Sequence, residues 1–523
     1  MSGSNRVAAG IFASRMAGLA RELTISVALG VGPATDAFRF AMRIPNVLQN
    51  LLGEGAMSAS FIPVYARLLT KGEKGEADRL AGAIFAMLTG LTVALVGVSV
   101  LIAEPFVALF TSWENAPEVF DLAVKLLRIT SVGIGFLVLS AWCLGILNSH
   151  RSFFLPYAAP VVWNGVQIIV LLLVLAAPKE DIAVSVAWAV VAGGILQFLI
   201  QMPRVLQLAP GLRLTLQQSQ HTRDVLRRFV PAVGARGVVQ ISSFADSIMA
   251  AALAFGATAL YGYTLPLYLL PVSLFGFSVA ASELAELSRR ESNQDIIVER
   301  VQPALRRVLI PGVLVATAYL AAGEAVVQTV YGLPDLLFGR GLQGDDIKAV
   351  SLVLMAFAFG LPATMTARIT QNTLYSMGDV KGPARIAVIR VVTSFSISLI
   401  AMLPLDWYFV ADGIVQGEWG GWTRLPESIR LLNDGPPRLG VVGLGIGASV
   451  AAWLEWYLLR RLLTKRLNTA IKSEIFVRLT VAAATAGLSM AVVARLGLPF
   501  PLNALLVGVV GLGVYGLQLA SKL

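Results

Sequence analysis

Apolar runs of about 20 residues recur from one end of the chain to the other, between breaks rich in proline, glycine or charge, and that length suffices to cross a bilayer. In the first half they begin near Val7, Ala34, Leu80, Val119, Phe154 and Ile182. In the second half they begin near Val225, Ala257, Val301, Val350, Ala384, Leu439, Glu474 and Pro499. The pattern predicts an all-α polytopic membrane protein with about fourteen transmembrane helices. Composition agrees: only 14% of the 523 residues are charged, against roughly 25% in ordinary soluble proteins. A soluble enzyme, a secreted disulfide scaffold and a disordered chain are excluded. The first run is interrupted by Arg15, Arg21 and Glu22, so it reads as a retained helix and not a cleaved signal.

Alternate loops differ in basic content. One set, with Arg6 and Lys522, holds 24 lysines and arginines and the opposite set holds 7. By the positive-inside rule both termini are cytoplasmic and the span count is even. The longest extracytoplasmic stretch, about 405–437, is acidic, and its Trp407, Trp419 and Trp422 suit a membrane interface. Ala28-Leu29-x-x-Gly32 recurs as Ala252-Leu253-x-x-Gly256, and many transporters consist of two repeated bundles. The expected organisation is two pseudo-symmetric six-helix bundles, 1–208 and 209–466, followed by two additional helices in 467–523.

Enzymatic chemistry has little to stand on. Cys143 is the lone cysteine, two histidines lie in loops, and no GxxxxGK[ST] sequence is present. No metal site, nucleophile–base pair or nucleic-acid partner is expected; the net charge of +10 resides largely in loops. The informative charges are those inside the spans, where an arginine costs about 2.5–3.5 kcal/mol or more to insert and so faces a partner, a wet cavity or a substrate. Asp36, Arg39, Arg43, Asn46, Asn50 and Glu54 follow one another at spacings of three or four residues, which draws a polar stripe along one helix face. Pro45 permits a hinge there. Arg15 and Glu22 share a face of the first span, with Arg21 beside it; Glu22 is placed to neutralise one of these arginines. In the seventh span Arg236 and Gln240 head a further polar stripe, with Asp246 close by. Arginines from three helices imply a cationic central cavity, and guanidinium favours phosphate or carboxylate cargo.

The stretch Thr35-Asp-Ala-Phe-Arg-Phe-Ala-Met-Arg-Ile-Pro-Asn-Val-Leu, followed by Gly53-Glu-Gly-Ala-Met-Ser-Ala-Ser-Phe-Ile-Pro-Val, closely resembles the MurJ/MviN family. Ser14-Arg-Met-Ala-Gly-Leu-Ala-Arg-Glu, Gly145-Ile-Leu-Asn, Ala187-Trp-Ala-Val-Val-Ala-Gly-Gly-Ile-Leu-Gln and Tyr375-Ser-Met-Gly-Asp-Val-Lys-Gly-Pro extend the resemblance over nearly the whole chain. It implies a fourteen-helix member of the MATE-like exporter (MOP) superfamily in the bacterial cytoplasmic membrane. Its cargo would be lipid II, the undecaprenyl-pyrophosphate-linked peptidoglycan precursor, flipped outward by alternating access. The implied cavity is formed by helices one, two, seven and eight, and the last two helices are thought to shape a groove for the polyprenyl tail. Arg15, Arg21, Asp36 and Glu54 fall on positions matching the family's functionally important residues. Membrane lipids and other cell-wall synthesis proteins are the remaining expected partners. No cofactor is expected beyond coupling to Na+ or the membrane potential, for which Asp246, Asn372 and Asp379 are candidate contributors; Asp379 also reads as part of a cytoplasmic turn.

Two departures from the family pattern stand out. Gln49 and Asn50 occupy a stretch where the family usually has basic residues. The eighth span reads Thr264-Leu265-Pro266 where an Ala-Asp-Arg element is common. Arg39 and Arg236 are the expected replacements for the missing charge. Alternatives that remain open are an exporter of another polyprenyl-linked glycan or amphipathic anion, and a diverged membrane scaffold that does not transport.

Overall fold

The computed structural model describes residues 3–215, 219–277, 294–379, 381–467, 474–496 and 502–520. Helical segments stand at all fourteen expected positions. Among the described residues nine are long and apolar enough to cross a membrane, or ten when Gly344–Ala358 and Leu361–Ser376, bent by 40°, count as one span. The other four are α1 (Gly3–Leu29), the second segment, α12 (Gln220–Ala251) and the helix Glu474–Ala494. The first three carry the candidate arginines and acids in their interiors, which is why apolarity alone does not select them. The basic loop residues Arg289, Arg290, Lys472 and Lys522 lie outside the described residues.

The chain divides into two compact units, Met1–Ala252 and Leu253–Leu523. In the first, α2 (Pro33–Ala41), α3 (Arg43–Leu52) and α4 (Glu54–Thr70) together make the second segment, followed by α5 (Lys74–Leu101), α6 (Ala103–Phe110) and α7 (Pro117–Ser149). Next come α8 (Phe154–Ala158), α9 (Pro160–Leu173), α10 (Lys179–Leu199), α11 (Met202–Leu208) and α12. Helix α7 is the pillar of this unit. Its Trp142 is fully buried and donates its indole N–H to the Ala81 carbonyl at 3.1 Å, and Phe61, Tyr65, Ile146 and Leu147 pack around it. Helix α12 packs on α3 and α4 and so belongs to this compact unit, although the sequence division at 208/209 counts it with the second repeat.

The second unit runs from α13 (Ala257–Pro271) through a π-helical turn, Val272–Phe277, to α14 (Gln294–Val327), α15 (Leu333–Phe338), α16 (Gly344–Ala358), α17 (Leu361–Ser376) and α18 (Lys381–Leu405). After the extracytoplasmic insertion come α20 (Gly440–Leu467), α21 (Glu474–Ala494) and α22 (Leu502–Ala520); the short α19 (Glu427–Arg430) lies within the insertion. Gly443 and Gly447 let α20 approach α18 closely: a Cβ at Gly443 would sit 2.5 Å from the Met402 nitrogen, and one at Gly447 would overlap the Ser398 hydroxyl. Helices α21 and α22 pack together against α14.

The insertion holds the two strands found among the described residues, β1 (Phe409–Ala411) and β2 (Ile414–Gln416), paired antiparallel. Asp412 and Gly413 turn between them with φ of 54° and 72°, the left-handed geometry of a two-residue hairpin. The turn is pinned to α16: Asp345 Oδ1 accepts from the Gly413 N–H at 2.7 Å, and the Lys348 ammonium donates to the Gly413 carbonyl.

The short repeat read from the sequence acquires a structural meaning. Gly32 and Gly256 are the N-cap residues of α2 and α13, with φ of 153° and 91°, and each glycine permits a sharp entry into the helix that follows an arginine-bearing span.

Candidate functional site

The second segment is not one straight helix. Pro45 has no N–H to offer the Ala41 carbonyl, and α2 gives way to α3 at Met42; the Thr130 hydroxyl lies 3.3 Å from that carbonyl. A second break falls at Gly53, where φ and ψ are −77° and −143°, and a Cβ there would collide with the Gln49 carbonyl. The expected stripe is therefore carried on three pieces: Asp36 and Arg39 on α2, Arg43, Asn46 and Asn50 on α3, and Glu54 at the start of α4. The side chain of Glu54 lies outside the described residues, as does that of Arg236 on α12.

Glu22 joins two of the candidate arginines. Its carboxylate accepts from Arg21 at 2.6 Å and from Arg39, seventeen residues away on α2, at 3.0 Å. All three side chains are 18% exposed or less. Arg21 also lies over the Trp163 ring, 4.8 Å from its centroid, a cation–π contact that fixes the guanidinium plane. Asp36 is buried in the first turn of α2, where a negative charge suits the helix dipole. Arg43 and Asn46 are half-buried. Exposed Asn50 donates its amide to Gln240 of α12 at 3.4 Å, bringing the second and seventh spans together within this unit.

Arg15 stands at a cavity. It is exposed on α1 and lines a cavity of about 230 Å³ with Ser14, Gln49, Ser140, Tyr157 and Gln197. The wall is polar by design of α7 and α10: Ser140 accepts from Gln197 at 3.0 Å and from Gln201 at 2.6 Å. The sequence reading missed Ser140, Tyr157, Gln197 and Gln201; their signal was the presence of hydrogen-bonding side chains in otherwise apolar spans.

The candidate cation-site residues belong to different compact units. Asp246 is half-buried on α12 in the first unit, while Asn372 on α17 and Asp379 just after it belong to the second. Asp379 accepts from the Gly382 N–H at 2.8 Å and from Arg466 at 2.8 Å, and these bonds hold its carboxyl below the usual aspartate value. It thereby caps the start of α18. No group of three or more metal-ligating side chains occurs among the described residues. Within the second unit, Arg390 pairs with buried Glu455 at 3.1 Å, Arg368 donates to Gln371, and Tyr268 meets Thr364 at 3.0 Å. Sequence reading overlooked Glu455.

A polytopic helical bundle with arginines and hydrogen-bonding side chains set into its spans is the architecture of a membrane transporter. The backbone matches the solved inward-facing conformation of a multidrug resistance MATE family transporter of the MOP superfamily, with TM-score 0.63, 15% identity, and coverage of 90% of this chain and 98% of that one. A closer fold match is a solved lipid II flippase MurJ in the inward closed conformation, with TM-score 0.77, 22% identity and 98% of both chains covered. At the sequence level, residues 25–423 match the family model for the lipid II flippase MurJ, and the chain belongs to that family. Curated relatives include the lipid II flippase MurJ of Burkholderia cenocepacia, 33% identical over 73% of this chain and 75% of that one. The probable lipid II flippase MurJ of Haemophilus influenzae is 29% identical over 91% and 89%.

Proposed function

We propose that this protein flips lipid II across the bacterial cytoplasmic membrane, from the cytoplasmic to the outer leaflet, by alternating access between the repeats 1–208 and 209–466. The observation that carries the reading is the family match together with an arginine set built into the spans of the first unit. Burying guanidinium groups in a bilayer is costly unless something uses them, and pyrophosphate is the cargo group that accepts their bidentate hydrogen bonds. Arg15 lines a cavity, whereas Arg21 and Arg39 are oriented by Glu22; the three would engage the pyrophosphate with Arg43 and Arg236. The triad of two guanidiniums and one carboxylate keeps a single positive charge, which lets the cargo bind without being trapped.

An apolar cavity of about 380 Å³ between α14 and the last two helices, lined by Tyr319, Met490, Val507 and Leu512 among others, suits the polyprenyl tail. Asp246, Asn372 and Asp379 would serve coupling to Na+ or the membrane potential. The basic loops support cytoplasmic termini. The test is growth rescue: a host depleted of its own lipid II flippase should grow when given this gene and should lyse when given its Arg15→Ala or Arg43→Ala variant at equal membrane abundance. Lysis with the wild-type protein, shown to be membrane-inserted, would favour another polyprenyl-linked glycan as cargo. The uncharged Gln49 and Asn50 beside the arginines of the second segment are the feature that favours this second reading.

A further inference from the structure

We infer that the cavity beside Arg15 is a sugar-recognition subsite, which reads a neutral glycan ring attached to the phosphate that Arg15 holds; this rests on the flippase reading above. At about 230 Å³ it is smaller than the roughly 300–1,000 Å³ of sites that take whole drug-sized ligands. One ring fits it, not a complete headgroup. Apart from Arg15, every polar side chain on its wall is uncharged: the hydroxyls of Ser14, Ser140 and Tyr157 and the amides of Gln49 and Gln197. Hydroxyls and amides offer donors and acceptors at once, the complement of sugar hydroxyl and acetamido groups, while Tyr157 adds an aromatic face for the C–H side of a ring. Leu137 and Leu144 supply apolar wall between these groups.

Two buried amides back this wall. Gln201, 1% exposed, spends its amide N–H on Ser140 and on the Gln197 carbonyl, leaving its Oε1 buried without a hydrogen-bond partner directly behind the wall. Asn148, which donates to the Tyr157 hydroxyl at 3.3 Å, likewise has a buried Oδ1 without a hydrogen-bond partner. Gln49 is one of the two amides in that wall. A basic side chain there would extend the charge of Arg15 into the cavity, whereas the amide converts it to a surface that recognises without charge.

The test is equilibrium binding of the purified full-length protein to two probes, lipid II and undecaprenyl pyrophosphate, which share tail and pyrophosphate but differ in the glycopeptide. Wild type should bind lipid II more tightly than undecaprenyl pyrophosphate. Gln49→Leu and Gln197→Leu should each weaken lipid II binding roughly fivefold to tenfold, the loss of one or two hydrogen bonds, and leave undecaprenyl pyrophosphate binding unchanged. Arg15→Ala should weaken both probes alike. Gln49 is half-buried and has space to lose its amide, and Gln49→Arg is a second variant that should raise affinity for undecaprenyl pyrophosphate while lowering it for lipid II. Equal wild-type affinity for the two probes, or glutamine variants that weaken both or neither, would overturn the subsite. Failure of wild type to bind either probe would instead overturn the flippase reading on which it rests.

Discussion

Replacing Glu22 by glutamine isolates the electrostatic job of that residue with almost no change of shape. Two guanidiniums now lie 2.6 and 3.0 Å from its oxygens, with all three side chains at or below 18% exposure. A unit charge pair about 4 Å apart is worth about 4 kcal/mol at an effective dielectric constant near 20, and removing one partner of a buried pair typically costs about 3–5 kcal/mol. Glu22→Gln discards two such attractions and leaves Arg21 and Arg39 facing each other, so a loss of about 3 kcal/mol or more is expected. That is a large share of the roughly 5–15 kcal/mol that holds a typical protein together. The assay is denaturant titration in mixed micelles, followed by tryptophan fluorescence, for wild type, Glu22→Gln, Arg39→Gln and the double variant. The double variant should recover at least about 2 kcal/mol relative to the sum of the singles, since it removes one of the two mutually repelling guanidiniums along with the acid. A coupling near zero would refute the reasoning, because it would mean that water screens the triad.

Three other outcomes are expected. Gly447→Leu should drive a side chain into Ser398 and separate α20 from α18, lowering membrane abundance and the apparent melting temperature; Ala448→Leu, one position off that seam, is the comparison. Asp406, 2% exposed, has its carboxyl pushed up to about 7 by burial, against the opposing pull of Arg438 and the Ala254 N–H. The folded state therefore holds a proton that the unfolded chain releases near pH 4, and stability should fall as pH rises from about 4 to about 7 and level off above that. Asp406→Asn should flatten that slope in pH-dependent melting curves; an unchanged slope would assign it elsewhere. Trp163→Ala should weaken stability by about 0.5–2 kcal/mol through loss of the contact with Arg21, and Trp163→Phe should recover part of it.

Much of this architecture was legible in the order of residues. Hydrophobic runs located the nine or ten apolar spans found among the described residues, because backbone satisfaction in lipid leaves few other solutions, and intramembrane charge pointed to α1, α2, α3 and α12. What escaped was set by contacts between helices. Glu22 reads as a neighbour of Arg15 or Arg21 along one helix, yet its second partner is Arg39 on α2, a contact between side chains seventeen residues apart that spacing does not encode. The stripe from Asp36 to Glu54 has helical spacing throughout, and the break at Gly53 follows from backbone angles that spacing does not encode. Gln197 and Ser140 gained meaning only when α10 met α7, and Glu455 only when α20 met Arg390 on α18. Asp379 was legible as a turn residue, and its bonds to Gly382 and Arg466 fit that reading.

The central claim is tested most directly by the amount of lipid II that reaches the outer leaflet. Cells depleted of their own flippase and supplied with this protein would be treated with a membrane-impermeant enzyme that cleaves lipid II at its pyrophosphate, and the released headgroup would be counted. Wild type should restore cleavage to the level of undepleted cells, and Arg15→Ala at equal abundance should leave it near the depleted level. Lipid II that stays protected in cells carrying abundant, membrane-inserted wild-type protein would contradict the account.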